Sequence, residues 1–248
     1  MGCSSQPQLK KLEESLKNLL IKWESPYWSI FFSFIVYGAF SVTYGLDPST
    51  KNYYSYLADA ILHGKFYFLE TPPSVLDLVY FEGKYFLIYP PMPSFLLIPL
   101  VVVFGVDVSD VVFTLVIASV NVGLLAYLLR VSQNKRLFSL SSHHRATLVL
   151  FFALGTVHIT LAPMGKVWYT GQIVALFFVL LAYIVALRWE RWRAFLLFGL
   201  ALGAATLSRS HLFLVGIWPA VYLLFTHRDK GIKTLMRYSV LGLLPVIV

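Results

Sequence analysis

Long apolar segments recur along the chain, separated by short polar turns in which Lys and Arg are common. The first of them would rise about 30 Å as a helix, which matches the hydrocarbon thickness of a bilayer. We therefore predict an all-α polytopic membrane protein with about seven transmembrane helices. The predicted spans are Tyr27–Leu46, Val111–Leu129, Ala146–Ala162, Trp168–Leu187, Ala194–Leu207, His211–Phe225 and Tyr238–Val248.

Two apolar segments are too short to be complete spans. Tyr238–Val248 would rise only about 16 Å, so we expect the seventh helix to be incomplete and the transmembrane domain, residues 27–248, to be C-terminally truncated. Pro90–Phe104 would rise about 22 Å, and Pro99 inside it removes a backbone hydrogen bond. We predict that residues 90–104 form an interfacial or re-entrant helix.

The charges of the turns predict which side of the membrane each turn faces. With residues 90–104 not spanning and the N-terminus in the cytoplasm, three inner turns collect eleven basic residues, as the positive-inside rule requires. A spanning segment at 90–104 is the alternative, and it would place the lysine-rich N-terminus outside. The eleven residues are Arg130, Lys135, Arg136, Arg145, Arg188, Arg191, Arg193, Arg228, Lys230, Lys233 and Arg237.

The N-terminal segment, residues 1–26, alternates apolar residues with lysines at helical spacing. This pattern predicts an amphipathic helix on the anionic cytoplasmic face of the cell membrane, with a solvated helical tail as the alternative. The apolar positions are Leu9, Leu12, Leu16, Leu19, Leu20 and Trp23, and the lysines are Lys10, Lys11, Lys17 and Lys22.

Composition excludes soluble enzyme folds, because 58% of the residues are hydrophobic and only 13% are charged, against about 25% charged in globular proteins. The formal charge of +8 indicates topology and contact with anionic lipids rather than nucleic-acid binding. Cys3 is the single cysteine, which excludes an intrachain disulfide and a cysteine-based metal cluster.

The predicted first extracytoplasmic loop, residues 47–110, holds seven of the twelve acidic residues of the chain. Within it, Asn52–His63 predicts an amphipathic, aromatic helix that Gly64 ends, suited to the membrane interface. Val79–Leu87 predicts a small hairpin that turns at Glu82-Gly83. The seven acids are Asp47, Asp59, Glu70, Asp77, Glu82, Asp107 and Asp110.

This order of features resembles the N-terminal part of the GT-C superfamily of polytopic glycosyltransferases, especially bacterial relatives of protein O-mannosyltransferases and aminoarabinose transferases. The residues that carry the resemblance are Ala58–Gly64, Gly83-Lys84-Tyr85, Tyr89–Leu100 and the Gly/Ala-rich Gly199–Arg209. It covers most of residues 27–225 and implies a first outer loop with membrane-parallel helices at 52–63 and 90–104. It also implies transfer of a sugar from a polyprenyl-phosphate donor to a lipid, glycan or protein acceptor on the outer face.

Such a transfer needs a carboxylate for the acceptor hydroxyl and a cation for the departing lipid phosphate. Asp47, directly after the first span, is the first candidate for the carboxylate, since the family's acid lies there, and Asp77 is the second. Solvated loop acids are the alternative for both.

For the phosphate, Arg209 at the outer end of a span is the best candidate, because a guanidinium holds phosphate with two parallel hydrogen bonds. An arginine that only anchors helix depth is the alternative. Lys166 in the neighbouring outer turn, His211 beside Arg209, and the intramembrane His158 are further candidates, with a structural histidine as the alternative for His158.

The next outer turn, Ala162–Tyr169, contains no acid, whereas magnesium and manganese sites need oxygen ligands. The sequence therefore predicts metal-independent transfer with no cofactor. The rival functions are a polytopic transporter or flippase, which would place charged sites near the bilayer midplane, and a non-catalytic membrane subunit.

Overall fold

The computed structural model describes residues 14–15, 18 and 20–247. Its elements in chain order are α1 Pro26–Tyr44, α2 Tyr53–Leu62, β1 Leu78–Phe81, β2 Lys84–Leu87, α3 Met92–Phe104, α4 Asp110–Asn134, α5 Ser142–Gly155, α6 His158–Leu161, α7 Val167–Arg188, α8 Arg191–Thr206, α9 Ile217–Thr226 and α10 Ile232–Ile247. Short 3-10 helices cover Gly105–Asp107, Ser210–Gly216 and Arg228–Lys230. The predicted N-terminal amphipathic helix lies mostly outside the described residues.

Three helices of the described chain are long and apolar enough to cross a membrane: α1, α4 and α7. The fold is therefore helical, as the apolar pattern predicted, and three of its helices have the length and composition of membrane spans. Two further apolar helical stretches, Met92–Asp107 and Ser210–Thr226, are shorter. The other predicted spans stay predictions.

The segment predicted as one span at Ala146–Ala162 is divided in the structure. Helix α5 ends at Gly155, Thr156 is extended with φ −121° and ψ 176°, and α6 begins at His158. The Thr156 hydroxyl accepts a hydrogen bond from the His158 N–H at 3.2 Å, so it satisfies a donor that the interrupted helix leaves open. Hydropathy does not detect this break, because every residue around it is compatible with a span.

The boundaries of the last two predicted spans also differ. Ser210–Gly216 is a 3-10 helix, and α-helical geometry begins only at Ile217, two residues before Pro219. Proline is well tolerated in the first turn of a helix because its missing N–H has no partner there. Helix α10 begins at Ile232, earlier than the apolar pattern indicated.

The long helices pack side by side, with α4 between α1 and α7, and α8 between α7 and α10. Buried polar side chains join α4 to α7: Thr114 Oγ1 lies 2.7 Å from Thr170 Oγ1, and Asn121 Nδ2 donates to the Ile173 carbonyl at 2.9 Å. Helices α8 and α10 approach so closely that a methyl group on Gly199 would overlap the Gly242 carbonyl. Small residues at such contacts are typical of membrane helices.

One end of the bundle, the loop end, carries residues 45–109 together with the last turn of α8 and the start of α7. The Ser109 hydroxyl donates to the Leu46 carbonyl at 2.6 Å, which joins the two ends of this segment. Both ends of α3 lie here, since Met92 N donates to the Leu207 carbonyl and Asn52 Nδ2 to the Val108 carbonyl. The α3 helix therefore begins and ends at the same end of the bundle.

The opposite end, the basic end, holds the α4–α5, α7–α8 and α9–α10 turns. Arg145 at the start of α5 pairs with Glu24 just before α1, and Arg191 N donates to His227 Nε2 after α9 at 3.0 Å. The eleven basic residues that the sequence assigned to inner turns all belong to these three turns and the helix ends beside them.

Candidate functional site at the loop end

Arg209 lies just beyond α8 and reaches across to α7. Its Nη2 donates to the Trp168 carbonyl at 2.7 Å, and the guanidinium lies 5.6 Å from the centre of the Tyr89 ring. Its Nε is buried and has no partner among the described residues. The guanidinium is thus positioned by two aromatic residues and keeps an unused donor.

Tyr54 brings a second unused polar group to the same place. This residue of α2 is 1% exposed, and its hydroxyl has no hydrogen-bond partner in the described chain. A methyl group on Gly171 would lie 2.7 Å from the Tyr54 oxygen and 3.5 Å from Arg209 Nη2, so both groups face the same glycine of α7. Burial raises the pKa of Tyr54, and the nearby Arg209 opposes this only in part. The phenol is therefore a neutral hydrogen-bond donor at pH 7.

A carboxylate, an indole and a phenol form the next layer of the site. Trp168 Nε1 donates to the Tyr89 oxygen at 2.7 Å and approaches Asp77 Oδ2 at 3.1 Å. The Tyr89 hydroxyl lies 3.5 Å from the same Asp77 oxygen. On the face of the Trp168 ring, Lys51 Nζ stands 4.1 Å from the ring centre. Two cations and one acid therefore surround Trp168.

The backbone holds Asp77 in an uncommon conformation. Its φ is 63°, in the left-handed region that Asp tolerates better than most residues. Tyr53, fully buried at the start of α2, fixes the preceding residue by donating from its hydroxyl to the Leu76 carbonyl at 2.7 Å. The hairpin β1–β2 follows immediately, with Glu82 and Gly83 at its turn. The loop thus directs an exposed carboxylate towards α7.

A different acid, Asp110, joins the turns beneath this layer. It is 1% exposed and accepts hydrogen bonds from Ser49 N at 2.8 Å, Ser49 Oγ at 2.6 Å and Lys166 N at 2.9 Å. These contacts connect the α1–α2 turn, α4 and the start of α7. Asp110 therefore fixes the two backbone segments that carry Lys51 and Trp168.

An apolar groove of about 500 Å³ leads away from Arg209 between α7 and the 3-10 helix Ser210–Gly216. Arg209, His211 and Gln172 supply its polar part. Five apolar residues form the remainder: Ala175, Leu176, Val179, Leu212 and Val215. Between Gln172 and Val179 the groove follows α7 for about 10 Å. Arg209 thus lies at one end of a groove that is otherwise mostly apolar.

The structure brings some of the predicted site residues together and separates others. Arg209 and Asp77 both contact Trp168, and His211 lines the groove beside Arg209. Lys166 lies two residues before Trp168 and contributes its backbone N–H to Asp110. The Lys166 backbone has φ 64°, another left-handed residue at this end.

Asp47 and His158 lie outside this cluster. Asp47 is exposed in the turn after α1, and none of the hydrogen bonds or ion pairs within the described chain involves its carboxylate. His158 is buried against α1, where its Nδ1 lies 3.0 Å from the Tyr37 oxygen while Tyr37 donates to the Ala153 carbonyl. The geometry thus gives His158 a structural partner and leaves its Nε2 buried and unpaired among the described residues.

Lys51, Tyr54, Tyr89 and Trp168 were not singled out from the sequence as site residues. The aromatic richness of residues 53–56 and of Trp168-Tyr169 was a usable signal, but membrane interfaces are also aromatic. The pattern alone therefore could not distinguish interfacial anchors from residues that line a site.

Comparisons of the chain with protein-family models, with curated proteins and with solved structures gave no match. Within the residues that the structure describes, no group of three or more His, Cys, Asp or Glu side chains is arranged to hold a metal ion. Metal independence stays a prediction.

Proposed function

We propose that the chain is a membrane glycosyltransferase of the GT-C type. It transfers a sugar from a polyprenyl-phosphate donor to an acceptor on the extracytoplasmic face of the cell membrane. In this proposal the loop end faces outward, the basic end faces the cytoplasm with the N-terminus, and α2 and α3 lie at the outer interface. The segments α5–α6, α8, Ser210–Thr226 and α10 complete a bundle of about seven spans with α1, α4 and α7.

The observation that carries the proposal is the position of Arg209 at the head of an apolar groove. A polyprenyl phosphate has one anionic group joined to a long apolar chain, so it needs this combination. Arg209 Nε and the neutral Tyr54 hydroxyl, which have no partner among the described residues, offer two donors for phosphate oxygens. Donors that are already oriented stabilise the charge that develops on a leaving phosphate.

The chemistry requires one carboxylate near the phosphate. The acceptor oxygen forms a bond to the sugar C1, the bond from C1 to the phosphate oxygen breaks, and the electron pair leaves with the phosphate. Asp77 takes the proton of the acceptor hydroxyl as general base. We prefer Asp77 to Asp47, because Asp77 shares Trp168 with Arg209, whereas Asp47 is exposed elsewhere in the loop.

Lys51 and the aromatic side chains support the same assignment. Lys51 stands over the Trp168 ring and adds a second positive charge beside the residue that Arg209 contacts. Tyr89 and Trp168 offer flat apolar faces beside polar edges, a combination that suits sugar rings. No metal takes part in this scheme, since Arg209 and Lys51 supply the positive charge.

The test is transfer of labelled sugar from polyprenyl-phosphate donors by membranes from cells that express the chain. The Asp77→Asn variant should lose activity by about 10²- to 10⁴-fold, the usual contribution of a general base. Glu82→Gln is the matched control, because it neutralises another exposed acid of the same loop at the tip of the hairpin. It should retain wild-type activity.

Asp47→Asn separates the two candidate acids. If Asp47→Asn loses activity and Asp77→Asn remains active, Asp47 and not Asp77 is the catalytic carboxylate. Full activity in both variants would refute a carboxylate-assisted transfer at this loop. Addition of EDTA should leave turnover unchanged, and loss of turnover that manganese restores would contradict the metal-independent mechanism.

A further inference from the structure

The basic end carries a second concave region that the proposed transfer reaction does not use. Two cavities of about 780 and 550 Å³ adjoin there, and both are lined by Tyr127 and Arg188. We call this region the basic groove. Its charged lining residues are Arg130, Lys135, Arg188, Glu190, Arg191 and Arg193.

The groove is strongly positive, since five basic residues line it against one acid. Arg130 also interacts with Glu24, whose carboxylate lies 3.9 Å from Arg130 Nε. The same carboxylate pairs more closely with Arg145. Among the described residues, no salt bridge joins Arg188, Arg191 or Arg193 to an acid. An anionic ligand is therefore the expected occupant.

The turn that presents these arginines is held in place. Arg191 has φ 59°, a left-handed conformation that is uncommon for a residue with a side chain. Its N–H donates to Nε2 of the buried His227 at 3.0 Å, and His227 Nδ1 lies 3.0 Å from the Leu223 carbonyl. Three arginines on a fixed turn form a more specific site than three mobile surface charges.

The walls of the groove extend along two candidate membrane spans. Tyr127 lies about 10 Å, seven residues, before the end of α4, and Ile184 lies about 6 Å before the end of α7. At the opposite rim, Trp189 and Trp192 are 46% and 44% exposed, and indoles of this kind favour the headgroup region of a bilayer. The groove is therefore charged at the helix ends and apolar further along the two candidate spans.

We propose that the basic groove binds one anionic glycerophospholipid of the bilayer, with its phosphate at Arg188 and Arg193 and an acyl chain along Tyr127 and Ile184. The combination of charge and membrane depth favours a lipid over a soluble anion, which has no use for the apolar wall. Basic pockets between membrane helices commonly hold such headgroups.

The experiment uses the full chain purified in detergent, with dioleoylphosphatidylglycerol titrated in and bound lipid counted by native mass spectrometry. The wild type should bind phosphatidylglycerol at least about tenfold more tightly than phosphatidylcholine. Each basic residue near an anionic headgroup contributes a factor of about five. The Arg188→Gln/Arg193→Gln variant should therefore bind phosphatidylglycerol about 30-fold more weakly.

The matched control is Lys233→Gln/Arg237→Gln, which removes two positive charges from α10 at the same end but outside the groove. It should retain wild-type affinity. An equal loss of phosphatidylglycerol affinity in this control would show that general surface charge, and not the groove, causes the effect. Unchanged affinity in Arg188→Gln/Arg193→Gln would overturn the site. Displacement of the lipid by soluble glycerol 3-phosphate at equal concentration would overturn the choice of a lipid ligand.

A variant on the other wall keeps the test decisive if Arg188→Gln/Arg193→Gln fails to fold. Arg130→Gln/Lys135→Gln changes Arg130 in α4 and Lys135 just after this helix instead of the α7–α8 turn. It should weaken phosphatidylglycerol binding to a similar extent, and wild-type affinity in a folded protein would refute the proposal.

Discussion

The two ends of the bundle each contain a carboxylate that fastens helices together, and the two carboxylates are satisfied in different ways. At the loop end, Asp110 is buried and accepts from two backbone N–H groups and one hydroxyl, all uncharged. At the basic end, Glu24 pairs with Arg145 and, at longer range, Arg130. The acid of the loop end therefore pairs with none of the cations among the described residues, whereas the acid of the basic end pairs with two arginines.

The arginines of the two ends differ in the same way. Arg209 contacts Tyr89 and Trp168, and its buried Nε has no partner in the part of the chain that the structure describes. The arginines of the α7–α8 turn are exposed at the mouth of a groove. Exposed charge is typical of topology signals and lipid contacts, whereas a partly desolvated cation in a cleft is typical of a functional site.

The largest expected effect comes from removing the cation of the loop end, Arg209. Arg209→Gln should lower sugar transfer by about 10²- to 10³-fold, the usual loss when a donor to developing negative charge is removed. Arg237→Gln at the basic end should leave transfer within about twofold of the wild type. Rates are measured with labelled polyprenyl-phosphate sugar in membranes that contain equal amounts of folded protein. Equal rates in all three proteins would disprove the role of Arg209.

The second prediction compares the two anchoring carboxylates. Asp110→Asn should lower the free energy of unfolding by about 2–3 kcal/mol, because the amide cannot accept at both positions and leaves a buried donor unpaired. Glu24→Gln should cost about 1 kcal/mol, since Arg145 also donates to Gln133 and to the Leu140 carbonyl. Reversible unfolding in mixed detergent micelles measures both, and a larger loss for Glu24→Gln would contradict the comparison.

The third prediction concerns the contact between Tyr54, Arg209 and α7. A methyl group in Gly171→Ala would lie 2.7 Å from the Tyr54 oxygen, so the phenol must shift from its position in the site. Transfer should fall about tenfold, because a displacement of about 1 Å at a reaction site has effects of this order or larger. Gly38→Ala in α1 is the control, since its added methyl group meets nothing within 4 Å. Similar rates for the two variants would show that this contact is not used.

The smallest expected effect is a pH dependence confined to the basic end. Partial burial opposes ionisation of Glu24, but hydrogen bonds from Arg145 and Ser142 and the charges of Arg145 and Arg130 lower its pKa below 4.5. A lowered pKa in the folded state stabilises the protein above pH 4.5, and this stabilisation is lost as pH falls through the folded pKa.

The loss should amount to less than about 1 kcal/mol for this partly exposed pair. Melting temperatures between pH 7 and pH 3 measure it, with Glu24→Gln as the control. The variant should show a shallower fall on acidification, and identical pH profiles would exclude Glu24 as the cause.

The candidate site was predictable in part. Arg209 and Asp77 were named from the sequence because each is a charged residue at the edge of an apolar or loop segment, where charge is unusual or accessible. Lys51, Tyr54 and Tyr89 gave no comparable signal. Their place in the candidate site depends on Trp168 and Gly171 of α7, which are distant in sequence and come close only when α2 and α3 fold over the start of α7.

The amino-acid sequence by itself determined the helical and apolar character of the chain, the approximate positions of the apolar helices and the grouping of basic residues in three turns. Each of these depends on the transfer free energy of residues taken one after another, which a linear pattern records. The tertiary structure alone decided that α5 stops at Gly155, that Asp110 rather than Asp47 is the buried acid, and that Arg209 and Asp77 both contact Trp168. These outcomes depend on which helix ends pack together, and packing brings together residues whose separation along the chain carries no local signal.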